Sequence, residues 1–162
     1  LTQTREQIYL SSLQSAGIPI NPAYLRDCGP LMQDGYTETQ KLLDLPSPPT
    51  AIWAINDLLA AGALCAIQER KLRVPEDLAV AGFDDIAFSA FLSPPLTTVR
   101  MPSREIGKRA AQFLFKRLQD PKIEPMQETF AMQLIIRKST KSDHSVPIIQ
   151  NIASKRDILN QD

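Results

Sequence analysis

The chain has 162 residues, of which 43% are hydrophobic and 22% charged, and its 18 basic residues are balanced by 18 acidic ones. This balance excludes a whole-chain field that would recruit nucleic acid or an anionic membrane, and the composition is typical of a soluble globular chain. No apolar segment approaches the roughly 20 residues that a membrane-spanning helix needs, so we expect no membrane partner.

The two cysteines, Cys28 and Cys65, lie far apart and lack the close spacing of a metal site. We interpret them as buried thiols rather than as a disulfide, and this usage favours the cytoplasm. We expect no bound metal.

The first quarter of the chain contains two predicted helices. One is predicted over residues 5–16, where apolar side chains recur at helical spacing, and the other over residues 34–44. A short strand is predicted between them, over residues 23–28. Prolines at positions 46, 48 and 49 end the second helix.

Two segments then repeat one pattern, in which a buried strand is followed by a polar pair and a helix. The strands are predicted over residues 51–55 and 78–83, because both are short and uninterrupted apolar runs. The helices are predicted over residues 58–70 and, after the second pair, up to about residue 91. The pattern predicts an α/β fold with a parallel sheet flanked by helices.

The polar pairs at the ends of these strands are Asn56 with Asp57, and Asp84 with Asp85. Ligands of parallel α/β proteins gather beyond the carboxyl ends of the strands, so each acidic residue is either a ligand contact or the cap of the next helix. We predict that Asp57 and Asp85 cap helices. Asn56 and Asp84, one residue earlier, are then free to face a ligand.

The last third of the chain contains two predicted strands, over residues 97–100 and over 128–137, where apolar residues alternate. Between them, Ser103 is expected to cap a helix over residues 104–119. Residues 141–162 are polar and mixed, and we predict a tail with at most one short helix.

The sequence has no glycine-rich phosphate loop, no His-Glu-x-x-His and no Gly-x-Ser-x-Gly. The side chains of Asp84, Asn56 and Arg5 together suit a hydroxyl-rich ligand. A carboxylate accepts hydrogen bonds from hydroxyl groups, whereas an amide and a guanidinium donate to neighbouring oxygens. We therefore predict sugar binding, no enzymatic activity and no cofactor.

Several stretches of the sequence also carry a resemblance to a known family. They are Pro-Thr-Ala-Ile at 49–52 with the Asn-Asp pair at 56–57, Val-Pro-Glu-Asp-Leu at 74–78, Gly-Phe-Asp-Asp at 82–85, Pro-Pro-Leu-Thr-Thr-Val at 94–99, and Leu-Ile-Ile-Arg-Lys-Ser-Thr at 134–140. Together they resemble the lactose/galactose repressor (LacI/GalR) family of bacterial transcription regulators, over roughly residues 1–140.

The resemblance implies a fold like that of type I periplasmic binding proteins, in which two α/β subdomains close on an effector. It implies that residues 1–99 belong to the C-terminal subdomain, 100–127 to a crossover segment and helix of the N-terminal subdomain, and 128–140 to a returning strand. The tail over residues 141–162 is unmatched. The DNA-binding helix-turn-helix is expected to lie before this chain.

By resemblance, Arg5 corresponds to the family's effector-binding arginine, Asn56 to its hydrogen-bonding partner, and Asp84 to the carboxylate that binds ligand hydroxyls. Two further ligand-site positions depart from the family pattern. Pro30 stands where an aromatic residue often stacks on the ligand, and Met101 stands where a polar residue is common. These departures imply a more apolar pocket than in a typical sugar-responsive member, and they leave the identity of the effector open.

The resemblance also places a subunit interface on the helix that follows the Asn-Asp pair at 56–57 and on a later turn. The candidate contacts, which core packing would explain equally well, are Ala61, Leu64, Cys65, Phe91 and Leu92. A homodimer would fit a regulator that reads a palindromic operator.

The sequence therefore predicts the effector-sensing and dimerisation region of a bacterial transcriptional regulator that binds operator DNA only through its N-terminal domain. Binding of a small molecule, expected to be a sugar, would shift the angle between subdomains and so the placement of the DNA-binding modules. One alternative is a periplasmic or surface sugar-binding protein of a transporter. Another is an enzyme on the same scaffold.

Overall fold

The computed structural model describes residues 2–140, so the predicted tail over 141–162 lies outside the described residues. The described residues form two compact units. Residues 2–100 and 134–140 form the first unit, and residues 101–133 form the second. In chain order the elements are α1 (Thr2–Ser15), a 3₁₀ helix (Pro22–Tyr24), α2 (Met32–Leu43), β1 (Ala51–Trp53), α3 (Asp57–Glu69), β2 (Ala79–Ala81), a second 3₁₀ helix (Ser89–Phe91), β3 (Thr98–Arg100), α4 (Ser103–Gln119) and β4 (Gln133–Ile135).

The first unit is built on short strands, and the carboxyl ends of three of them, β1, β2 and β3, point the same way. β1 and β2 are parallel, with Ala51 opposite Ala79. A parallel bridge between Asp84 and Arg100 continues the arrangement from β2 to β3, and β3 pairs with β4. The predicted α/β class with a parallel sheet is therefore confirmed.

The core of this unit lies where α3 packs on β1 and β2. Helix α3 is apolar on almost every side, because the sheet covers one of its faces and α2 covers another. Ile67 of α3, Val80 of β2 and Leu96 before β3 have no solvent exposure. Such residues supply most of the hydrophobic stabilisation, at about 25 cal/mol for each Å² of apolar surface buried.

Helices α2 and α3 approach each other closely at Gly62. A Cβ at this position would lie closer than 3.0 Å to Met32 O and to Tyr36 N, which are backbone atoms of α2. Because backbone atoms cannot swing aside as a side chain can, only glycine permits this packing distance. Thus α2 is held directly over the middle of α3.

Two predictions of secondary structure are wrong. Residues 23–28 do not form a strand, because the side chain of Asn21 accepts a hydrogen bond from Ala23 N at 3.0 Å and starts the 3₁₀ helix with Pro22 at its first position. No α-helix follows Asp85 either. The chain passes through a turn to the 3₁₀ helix Ser89–Phe91.

The prediction that the cysteines are buried is also wrong, since Cys28 and Cys65 are free and exposed.

The returning strand is shorter than predicted, with β4 limited to Gln133–Ile135. None of the described helices is long and apolar enough to cross a bilayer. In the second unit, α4 has no buried residue.

Candidate functional site

The candidate site lies at the carboxyl ends of β1 and β2, the edge at which ligands of parallel α/β sheets bind. The chain leaves β1 through Ile55 and Asn56, and it leaves β2 through Phe83 and Asp84. Helix α1 lies against this edge. Tyr9 of α1 stacks on the ring of Trp53 in β1, with 5.7 Å between ring centroids.

Arg5, one helical turn before Tyr9, is anchored at the same edge. Its Nη1 donates a hydrogen bond to the carbonyl oxygen of Ile55 at 2.9 Å, and its guanidinium carbon lies 4.1 Å from the centroid of the Phe83 ring. The other two guanidinium nitrogens, Nε and Nη2, have no hydrogen-bond partner within residues 2–140. A fixed guanidinium with unused N–H groups is suited to donate to ligand oxygens.

Asn56 joins two elements at this edge. Its Oδ1 accepts a hydrogen bond from Leu59 N at 2.8 Å, and its Nδ2 donates to the carbonyl oxygen of Pro30 at 3.1 Å. Asn56 is therefore the N-terminal cap of α3, and the structure brings Pro30 beside it. One amide hydrogen of Nδ2 remains for a ligand.

The prediction that Asp57 caps α3 is wrong. Asp57 is the first residue inside the helix and has no solvent exposure. Its carboxylate accepts hydrogen bonds from Ile86 N, Ser89 Oγ and Thr98 Oγ1. The preceding residue takes the cap position because these partners draw the side chain of Asp57 away from the helix end.

Asp84 presents a half-buried carboxylate whose oxygens have no hydrogen-bond partner within the described residues. Its backbone has a φ of +115°, in a region that residues other than glycine rarely adopt. Burial raises the pKa of Asp84, the charge of Asp57 raises this pKa further, and the charge of Arg5 opposes both effects. An unsatisfied carboxylate at this depth costs free energy unless a ligand binds it.

The prediction that Asp85 caps a helix is wrong as well. Its carboxylate accepts hydrogen bonds from Arg137 Nη2 at 2.7 Å and from Arg100 Nε at 2.6 Å. Burial alone would raise the pKa of Asp85, but these hydrogen bonds and the two positive charges outweigh burial and hold the pKa below its ordinary value. Asp85 therefore joins β3 to the segment after β4.

Ser103 and Met101 lie in the second unit. Ser103 is the first residue of α4 rather than its cap, since Pro102 occupies the cap position and the Ser103 hydroxyl donates to Met101 O at 3.5 Å. Met101 lines an open depression of about 760 Å³ at the start of α4. Its contact with a ligand stays a prediction.

Two of the predicted interface contacts are wrong. Ala61 and Leu64 are 1% and 5% exposed within a single copy of the chain, and Leu64 belongs to the hydrophobic core. Cys65 and Phe91 are exposed, and Leu92 is partly buried against the core. For these three residues the subunit interface stays a prediction.

Phe83 lies in the candidate site, and the sequence reasoning missed it. Its position in the apolar run before Asp84 indicated a strand interior, and only the fold brings its ring under Arg5.

Within residues 2–140, no group of three or more histidine, cysteine, aspartate or glutamate side chains could hold a metal ion.

Residues 1–140 match the family of the periplasmic binding protein-like domain. The HTH-type transcriptional repressor PurR of Pasteurella multocida (strain Pm70) is 39% identical over 140 residues, which cover 86% of this chain and 42% of that protein. The chain thus spans about two fifths of the length of this curated relative.

Two solved structures are similar in fold and sequence. The transcriptional regulator CelR–cellobiose complex has a TM-score of 0.78 and 30% identity, covering 83% of this chain and 41% of that chain. A LacI family transcriptional regulator from Enterococcus faecium with bound ribose has a TM-score of 0.74 and 32% identity, covering 82% of this chain and 49% of that chain.

These relatives are transcriptional regulators rather than enzymes. They agree with the resemblance to the LacI/GalR family. That resemblance rests in part on the Asn-Asp pair at 56–57 and on the Gly-Phe-Asp-Asp stretch at 82–85. The chain belongs to the periplasmic binding protein-like domain family, and its assignment to the LacI-type regulators is confirmed.

Proposed function

We propose that this chain is the effector-sensing region of a LacI-type transcriptional regulator and that it binds a sugar or a related small polar molecule. The effector contacts would come from Arg5, Asn56 and Asp84 at the carboxyl edge of the sheet. Pro30 would add an apolar contact. Effector binding would change the affinity of the whole regulator for operator DNA by shifting the balance between two conformations.

The observation that carries the proposal is the unpaired carboxylate of Asp84. Arg5 lies close enough for its charge to act on Asp84, yet the two side chains form no ion pair within 4.0 Å. Free acceptors and free donors therefore face the same edge. A molecule with adjacent hydroxyl groups could donate to the carboxylate and accept from the guanidinium at once.

The sugar ligands of two similar regulators support this chemistry, since those proteins are described with cellobiose and with ribose. The net charge of zero supports DNA binding through another part of the regulator, and the PurR relative is an HTH-type repressor. Such a regulator would work in the cytoplasm.

A homodimer is part of the proposal. The ring of Phe91 is 85% exposed, and Cys65 is exposed as well. Aromatic residues are enriched in protein interfaces relative to the rest of the protein surface. With Leu92, these residues would form the contact with a second copy of the chain.

The proposal is tested by thermal unfolding of the full-length protein with ribose, cellobiose and phosphorylated sugars. A ligand at a hundred times its dissociation constant stabilises the folded state by about 2.7 kcal/mol. We expect at least one sugar to raise the melting temperature and to change operator binding. Asp84→Asn should remove both responses, because the amide replaces one acceptor oxygen of the carboxylate with an NH2 group that can only donate, and it removes the negative charge.

The matched control is Glu76→Gln, which neutralises an exposed carboxylate in the turn before β2, at the opposite edge of the sheet. This variant should respond to the sugar as the wild type does. A full response in Asp84→Asn would refute the site, and no response of the wild type to any sugar would refute the sugar class.

A further inference from the structure

Asp57 is a fully buried carboxylate that ties together three segments of the first unit. Thr98 Oγ1 donates to its Oδ1 at 2.6 Å, Ser89 Oγ donates to its Oδ2 at 2.5 Å, and Ile86 N donates to the same oxygen at 3.0 Å. A charged group without solvent exposure is tolerated only when it is hydrogen bonded in this way. The carboxylate therefore fastens the start of α3 to β3 and to the loop after β2.

These hydrogen bonds surround the backbone that carries Asp84. The amide of Asp85 donates to Thr98 Oγ1 at 3.3 Å, and the amide of Ile86 donates to Asp57 itself. On the other side, Asp84 N donates to the carbonyl oxygen of Val99 at 2.9 Å. The three consecutive amides from residue 84 to 86 are thus held by β3 or by Asp57.

The conformation held in this way is one that the chain does not adopt readily. Asp84 and Asp85 have φ values of +115° and +54°, and two consecutive residues with side chains in this region are strained. Such strain persists only where surrounding contacts over-determine the backbone, and it concentrates at ligand sites. The buried carboxylate provides one of those contacts directly, at the amide of Ile86, and a second through the hydroxyl of Thr98.

We propose that Asp57 is a positioning residue of the effector site, whose carboxylate holds the backbone at Asp84 in the conformation that presents the ligand-binding side chain. This inference rests on the proposed function of Asp84. In addition, Asp57 would control the affinity for the effector although its buried side chain does not contact the ligand.

The test compares Thr98→Val with Thr97→Val in the full-length protein. Each change removes one hydroxyl from a buried neighbour in the same strand region with little change of shape. The Thr98 hydroxyl links Asp57 to the amide of Asp85, whereas the Thr97 hydroxyl bonds to Arg137 and Thr140. Both variants lose buried hydrogen bonds, but only the Thr98 hydroxyl bonds directly to Asp57 and to the backbone amide of Asp85.

Binding is measured with ribose or cellobiose as the probe, at a temperature where both variants are folded. Thr98→Val should bind the probe about tenfold more weakly than the wild type does, because it loses one hydrogen bond that positions the site. Thr97→Val should bind within about twofold of the wild type. Equal affinity of the two variants would overturn the proposal.

The pH dependence of binding supplies a readout that a merely structural role would not move. The carboxylate of Asp84 is faced by two charged groups, Arg5 and Asp57. The negative charge of Asp57 raises the pKa of Asp84, so Asp57→Asn should shift the loss of affinity on acidification to lower pH. An unshifted profile in a folded Asp57→Asn variant would count against the proposal. If that variant does not fold, the comparison of the two threonine variants decides.

Amide hydrogen exchange separates this inference from the proposed function, because it needs no ligand. Exchange at Asp85 should be faster in Thr98→Val than in Thr97→Val, relative to a common core amide such as Ile67. Faster exchange together with no response of the wild type to sugars would refute the proposed ligand but retain the positioning role. Unchanged exchange would overturn the positioning role itself.

Discussion

Oδ1 of Asp57 occupies the space that a side chain on Gly82 would need. A Cβ at Gly82 would lie closer than 3.0 Å to this oxygen and 2.9 Å from Cδ2 of Leu96. Asp57 and Leu96 both have no solvent exposure, so neither can move aside without disturbing the core. The glycine just before Phe83 and Asp84 is therefore required by the carboxylate that lies behind the site.

Gly82→Ala is expected to lower the free energy of unfolding by about 1 to 3 kcal/mol, the usual cost of forcing an extra methyl group into a packed interior. Urea denaturation measures this change. The matched control is Gly107→Ala in α4, where a Cβ would meet nothing within 4 Å. That variant should gain about 0.5 to 1 kcal/mol of helix stability. Similar stability of the two variants would contradict the packing at Gly82.

Asp84 is expected to lower the stability of the protein without its ligand. A carboxyl group whose pKa is higher in the folded state binds its proton more tightly there, so stability is lost as the pH rises through the raised pKa. At pH 7 the Asp84→Asn variant should therefore melt at a higher temperature than the wild type. The difference should shrink as the pH falls towards 3.8, the ordinary pKa of the group.

Melting curves of both proteins between neutral and acidic pH, without sugar, check this prediction. Glu76→Gln, at the exposed turn before β2, should show no comparable gain in melting temperature at neutral pH. An Asp84→Asn variant that is less stable than the wild type at neutral pH would mean that the carboxylate has a structural partner.

Asp85 is expected to have the opposite effect on stability. Because its folded-state pKa is held below 3.8, its contribution is fully present above that pH and is lost as the pH falls through the lowered value. Asp85→Asn should cost about 2 kcal/mol at neutral pH, since Arg137 would lose a charged partner. The penalty should diminish in acid, where the wild-type carboxylate is protonated too.

An exposed ion pair of equal length serves as the control. Arg70 Nη2 lies 2.7 Å from Asp44 Oδ1, but the two side chains are 41% and 62% exposed, whereas that of Asp85 is 6% exposed. Asp44→Asn should therefore change stability by no more than about 0.5 kcal/mol. Chemical denaturation at several pH values measures both variants, and a comparable penalty in the two would show that burial does not strengthen the inner pair.

Phe83 is expected to affect effector binding through Arg5. The stacked ring limits where the guanidinium can lie, and a cation above an aromatic ring gains about 0.5 to 1 kcal/mol at a partly exposed site. Phe83→Leu should therefore weaken sugar binding about two- to fivefold while retaining an apolar side chain. Isothermal titration with the sugar that stabilises the wild type measures this loss.

The second unit contains a contact of the same kind, in which the guanidinium of Arg109 lies 5.1 Å from the ring centroid of Phe113. Phe113→Leu removes this aromatic ring without touching Arg5 and should leave the affinity unchanged. An unchanged affinity in Phe83→Leu would show that the carbonyl oxygen of Ile55 alone positions Arg5.

The sequence by itself determined the alternation of strands and helices and the edge at which the candidate site lies. Uninterrupted apolar runs before Asn56 and Asp84 indicate strands covered on both faces, and the polar residues that follow mark their carboxyl ends. Local composition is sufficient for these features because they depend on residues close together in the chain.

The roles within each polar pair were decided by tertiary structure. Sequence reasoning assigned the cap of α3 to Asp57, whereas the structure assigns it to Asn56. A shift of one residue at a helix start changes little in local energy, so hydrogen bonds from distant residues such as Ser89 and Thr98 decide it.

Contacts between distant segments account for the remaining differences. Arg137 donates a hydrogen bond to Asp85, which lies 52 residues earlier in the chain, and no local sequence pattern predicts that pair. The burial of Ala61 and Leu64 within a single copy of the chain is likewise a result of tertiary packing around α3. An apolar residue on a helix suits a core and an interface equally well, and only the position of its neighbours in space distinguishes the two.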